Sequence, residues 1–244
     1  MKCYGFVFAA VFVTAAVTAA VAGGRAAPPP PAATFSIVAY DEVTGELGVA
    51  VASRVVGVGA IVPFAKAGVG AVATQAWANV RFGPEILDRL ERGETAEQAV
   101  RAVVEADPQR AERQVGAVDV RGGASVFTGR GCHPWASCRA GRHFVVQGNI
   151  LAGPDVLVAM REAFEAADGV LAERLLAALE AGEQAGGDRR GKQAAALLVV
   201  RDGWGYGGLG DRFRDVRVDD HADPVTELRR VYQIHRKIFP RPER

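Results

Sequence analysis

The sequence predicts an α+β domain of stacked, mainly antiparallel sheets with helices packed on them. Three observations carry this. Short alternating runs rich in Val, Ile, Phe and Ala are bounded by Gly, Asp and Asn. The helical periodicities come in pairs, grouped between runs of strands rather than alternating with them one for one, which argues against a doubly wound parallel sheet. The order along the chain is strands, two helices, strands, two helices, strands and one helix, with no internal repeat.

The N-terminus stands apart from this domain. Lys2 precedes an apolar run from Tyr4 to Ala22, and Ala20-Val21-Ala22 supplies an A-x-A exit before Gly23. That order is a signal peptide over residues 1–22, with a retained anchor as its competitor because the run nears spanning length. Residues 23–33 contain Pro28-Pro29-Pro30-Pro31 and read as a stiff linker. A single domain is expected over 34–244, in a periplasmic or extracellular location and without stable membrane insertion.

Thr34 to Tyr40 alternates as a strand, Asp41 to Gly45 turns, and Glu46 to Ser53 returns. Gly57 and Gly59 punctuate an apolar stretch ending at Pro63, and Gly68 to Trp77 is another strand. Helices are expected over 82–92, with Pro84 in the first turn, and over 95–106, opened by the capping box Thr95-x-x-Gln98. Strands follow at 114–120, 124–128 and 143–147, then helices at 154–167 and 170–181. A glycine-rich loop, 182–191, leads to the strand 193–200. A second, 202–210, leads to a strand at 216–218, and the chain closes with a helix over 224–237.

The chain has 244 residues, 49% hydrophobic and 23% charged, enough for a full core. A net charge of +1 gives no electrostatic case for nucleic acid or an anionic membrane. Cys132 and Cys138 are separated by five residues, His133 among them, an arrangement open to a local disulfide, free thiols or, least well, a metal site needing further ligands. Gly205 to Gly208 lacks the lysine and serine of a phosphate loop. Asp219-Asp220-His221 precedes a Pro-initiated helix and reads first as a cap. No cofactor or metal is called for, and homo-oligomerisation is left open.

Thr34 to Asp41, Gly45 to Arg54, Ala73 to Asn79, Gln147 to Gly153, Gly186 to Gly191 and Val218 to His221 together resemble a bacterial family, the domain of unknown function 1028, assigned to the Ntn-hydrolase superfamily. The resemblance implies a four-layer αββα sandwich and amide-bond hydrolysis by an N-terminal nucleophile, here Thr34. It supplies no substrate beyond a small amide or peptide-like compound. Lys66 lies 32 residues after Thr34, the separation of nucleophile and lysine in proteasome-like subunits, and is the only lysine between Lys2 and Lys192. The aspartate those subunits carry would fall near Ala50, so their arrangement does not transfer whole.

The chemistry is self-consistent. A free N-terminal threonine carries its own base, an α-amine of pKa about 7.7–8.0, and a lysine ammonium beside it would favour the neutral amine. It requires cleavage between Ala33 and Thr34. Arg54, Asp188 and Arg189 are candidates to orient a substrate, the arginines through a carboxylate, and Gln75 and Asn79 could bond an amide. The alternative is a catalytically silent domain of the same fold that binds a small-molecule or cell-wall ligand.

Overall fold

The computed structural model describes residues 34–242, and the expected signal peptide and linker lie outside them. The described residues form one compact unit. Among the described residues no helix is long and apolar enough to cross a membrane.

Alternation sets the first hairpin. β1 (Thr34–Asp41) and β2 (Glu46–Ser53) pair antiparallel, Thr34 opposite Ser53. Their turn is closed by the Asp41 carboxylate, which accepts from the N–H groups of Val43 and Thr44. A short strand, β3 (Pro63–Lys66), follows and pairs with β4 (Gly70–Ala76). The sequence reading ended its apolar stretch at Pro63. The strand instead begins there, which proline permits because β3 is an edge.

The two helices that follow are α1 (Phe82–Glu91) and α2 (Ala96–Ala106). The Thr95–Gln98 capping box is formed in both directions. β5 (Arg113–Asp119) and β6 (Ala124–Thr128) complete a four-stranded sheet of order β3-β4-β5-β6.

β7 (Ser137–Gly141) and β8 (Phe144–Asn149) return the chain to the first sheet. α3 (Asp155–Ala166) and α4 (Leu171–Gln184) pack on it. β9 (Ala194–Val200), β10 (Arg212–Val218) and the terminal α5 (Pro224–Ile238) complete the domain. The larger sheet has order β10-β9-β2-β1-β8-β7, and every pairing in both sheets is antiparallel. The fold is thus α+β, with two antiparallel sheets and five helices among the described residues.

Side chains on a strand point alternately to its two faces, and three apolar clusters follow. Phe35, Ile37 and Ala39 of β1 join Leu157, Met160, Leu175 and Leu179 of the helices. Val38, Val49 and Val51 meet Ala71, Ala73 and Val118 of the smaller sheet. Val72, Val115 and Ala117 pack against Phe82, Ile86 and Val103 of α1 and α2. β5 approaches the larger sheet closely through Gly116, where a Cβ would meet Val145 at 3.1 Å and the Gln147 amide at 3.2 Å.

Candidate functional site

The face that β1 turns toward the smaller sheet changes character along its length. Val38 sits among valines and alanines, whereas Ser36 and Thr34 do not. Register extends the pattern. Opposite Thr34 lie Ser53 on β2 and Asn149 on β8, and opposite Ser36 lies Gln147. Directly opposite residues share a face with Cβ atoms about 4.5–5.5 Å apart. From the smaller sheet come Gln75 and Gln114, paired with each other.

These seven residues are all buried, none more than 3% exposed. Removing so many polar groups from water is tolerated only when they bond each other. The Thr34 hydroxyl donates to Ser53 Oγ at 3.1 Å, and Ser36 Oγ donates to Gln75 Oε1 at 2.6 Å. Gln75 Nε2 donates to the Thr34 carbonyl at 3.2 Å and to Gln114 Oε1 at 2.8 Å. Asn149 Nδ2 donates to the same Gln114 oxygen at 3.1 Å. Gln114 Nε2 in turn reaches Thr128 Oγ1, the Ser137 carbonyl and the Gly148 carbonyl. Gln147 Nε2 donates to Ser36 Oγ and the Ala73 carbonyl, while its Oε1 is buried without a hydrogen-bond partner among the described residues. None of the seven side chains is an acid, a lysine, an arginine or a histidine.

Arg54 and the loop 186–191 close the same end of the larger sheet. Gly186 and Gly187 take left-handed φ angles of 111° and 50° and deliver Asp188 into an isolated bridge with Leu151. The Asp188 carboxylate is 7% exposed and accepts from the Arg54 backbone N–H at 2.9 Å and from Arg190 Nη2 at 3.0 Å. Arg54 itself reaches outward to the Arg190 carbonyl, and Arg189 is exposed. Asp188 therefore organises the loop, and the arginines stand at its surface.

The remaining expected residues lie elsewhere. Lys66 is not brought to Thr34. Its ammonium pairs with Glu91 of α1 at 2.6 Å, about half exposed. Lys66 sits opposite Gly70, five residues along β4 from Gln75, or roughly 17 Å at 3.4 Å per residue. Sequence spacing measured chain length, whereas the β3–β4 turn placed the lysine at the far end of the hairpin. Asn79 also leaves the network. Its Nδ2 donates to Asp107 Oδ2 at 3.0 Å, beside the Arg113–Asp107 ion pair. Burial pushes the Asp107 carboxyl up, but the bonds from Arg113, Asn79 and the Gln109 backbone outweigh it and hold it below the ordinary aspartate value. Cys132 and Cys138 are free thiols rather than a disulfide. Burial raises the Cys132 thiol, whose Sγ donates to the Arg113 carbonyl.

Ser36, Ser53, Gln114, Gln147 and Asn149 escaped the sequence reading as site residues. Their signal was polarity recurring at alternate positions of otherwise apolar strands, as in Gln147-Gly148-Asn149 and Thr34-Phe35-Ser36.

The fold and these strand ends can be set against known proteins. No curated protein is similar enough in sequence to match. A crystal structure of a Silicibacter pomeroyi protein, assigned to DUF1028, is 36% identical, with a TM-score of 0.76 over 84% of this chain and 86% of that one. The family model described as a family of unknown function, DUF1028, matches residues 34–228, beginning at Thr34 itself. The chain belongs to the DUF1028 family.

Proposed function

We propose that this protein is an exported Ntn-type hydrolase of a small amide or peptide-like bond, with Thr34 as nucleophile once residues 1–33 are removed. The three apolar clusters support a four-layer αββα sandwich for it. The observation that carries the reading is the place of Thr34. It opens a central strand of the larger sheet, its hydroxyl is held by Ser53 Oγ, and buried amides surround it.

Processing frees the Thr34 amine to act as base on its own hydroxyl and later to return the proton to the leaving amine. With Lys66 elsewhere, stabilisation of the tetrahedral oxyanion falls to neutral donors. Asn149 Nδ2 spends one hydrogen on Gln114 and keeps the second, directly across the strand from Thr34. Arg54 at the neighbouring strand end is placed for an anionic group of the substrate.

Intact mass and N-terminal sequencing of native exported protein test the processing. Thr34→Ala in the processed chain should reduce turnover by at least about a thousandfold. Its stability should fall by the Thr34–Ser53 bond, about 0.5–1.5 kcal/mol, and by the buried γ-methyl, about 0.8 kcal/mol.

One observation favours a second reading, a silent ligand-binding domain. Thr34 is fully buried and its hydrogen-bond partners carry no ionisable group. A native chain that keeps residues 1–33 and hydrolyses no amide would establish it.

A further inference from the structure

A second site lies on the opposite end and face of the larger sheet. Glu46 opens β2 seven residues from Ser53, roughly 23 Å along the strand, and lines a cavity of about 220 Å³ with Phe213, Arg214, Tyr232, Arg236 and Arg241. The charges around this cavity do not balance. Arg241 pairs with Glu46 at 2.9 Å, and Arg236 pairs with Glu173. Arg214 is 3% exposed and has no carboxylate partner among the described residues.

Its guanidinium is only partly satisfied. Nη1 donates to the Phe239 carbonyl at 2.8 Å, at the end of α5, and contacts His235 Nδ1 at 3.2 Å. The plane stacks on Phe213, 3.6 Å from the ring centroid. Nε and Nη2, the edge that grips a carboxylate by two parallel bonds, have no acceptor among the described residues. Tyr232 repeats the pattern, being 2% exposed with a hydroxyl that makes no hydrogen bond among them. These donors line the cavity and are not sealed away from solvent, so they are available to an anion that enters it.

We propose that this cavity binds a small organic carboxylate. The Nε/Nη2 edge of Arg214 takes both carboxylate oxygens, the Tyr232 hydroxyl donates to one of them, and Val170, Ala172 and Pro240 receive a short apolar body. The site is independent of Thr34 and of whatever chemistry occurs there.

The test uses the purified chain with isobutyrate, benzoate, isobutyramide and inorganic phosphate, each at about 10 mM, read by thermal unfolding and calorimetric titration. A site with a Kd of about 1 mM then raises Tm by roughly 3–6 °C. Isobutyrate or benzoate should give that saturable rise, and isobutyramide, with similar shape and no charge, should give none. Arg214→Gln should abolish the response. Tyr232→Phe, which keeps the ring packing, should weaken binding by roughly tenfold. The proposal is overturned by no saturable response to either carboxylate, by an equal response to the amide, by phosphate binding more tightly than both carboxylates, or by undiminished carboxylate binding in Tyr232→Phe.

Discussion

Gln114→Ala should be among the most damaging single substitutions in the domain, although no charge or aromatic ring is lost. Gln114 is wholly buried, and its Oε1 is the common acceptor for Gln75 Nε2 and Asn149 Nδ2. Its own Nε2 serves Thr128, Ser137 and Gly148. Truncation removes an acceptor used twice and a donor directed at three oxygens. Gln75 keeps its bond to the Thr34 carbonyl, so the Asn149 donor and the loosened carbonyls bear most of the loss. A buried group left without its partner costs about 1–3 kcal/mol, and water entering the space recovers part of that. The expected net loss is about 3 kcal/mol, or roughly 6–12 °C in Tm for a domain of this size. Urea denaturation of wild type and variant at matched pH measures it. A loss below about 1 kcal/mol would refute the argument, because it approaches what an ordinary surface substitution costs.

Other consequences follow from the same geometry. Lys66→Ala should cost less than about 1 kcal/mol, since it breaks one exposed pair with Glu91, and should leave any amidase turnover intact; a large loss of turnover would restore the lysine to the site. His235 is held below the ordinary histidine value by burial and then by the Arg214 charge. The unfolded chain therefore takes up this proton first, so stability should fall as pH drops through about 6.5 until the lower folded pKa is passed. His235→Gln should flatten that part of a urea-midpoint profile, and an unchanged slope would dispose of the assignment. Thiol titration of the denatured, unreduced protein should count two cysteines if residues 1–33 are gone and three if Cys3 remains. Any lower count would mean that a disulfide forms.

Most elements were legible because their apolar runs are bounded by turn and capping residues, even where a strand such as β2 is buried on both faces. β2 and β6 fall on the residues their alternation indicates, and α2 starts at its capping box. β3 and β7 were not read, and both are short edge strands with partly exposed residues, where neither face imposes a clear period. β10 was read only over its last three residues. Arg212, Arg214 and Asp215 look like loop in one dimension, yet Arg214 is buried by the packing of α5. The site was half legible. Gln75 could be singled out beside Trp77, but the network's Gln114, Gln147 and Asn149 come from two further strands, β5 and β8, whose adjacency is a property of sheet order.

That adjacency bears on how the proposed threonine site would work with no cation among its seven buried side chains. An ion among these strands would carry a desolvation cost of several kcal/mol, whereas amides satisfy one another and keep directed N–H groups in place. The backbone at the same end is also held away from its relaxed state. Ala76 and Ile150, which leave β4 and β8 beside Gln75 and Asn149, have φ angles of 64° and 51°, a region a β-branched residue rarely enters. Each such residue costs about 1–3 kcal/mol and persists only where the surroundings over-determine it. Here the surroundings do so on both sides, because the Ile150 N–H donates to the His133 carbonyl while its own carbonyl accepts from Arg189. The Trp77 N–H following Ala76 is likewise fixed, to the Glu112 carbonyl. Strained backbone and uncharged polar groups thus converge on one strand end, and in the proposed mechanism rigidity there would stand in for charge. Donors already fixed in position need no reorganisation when negative charge develops on a substrate oxygen.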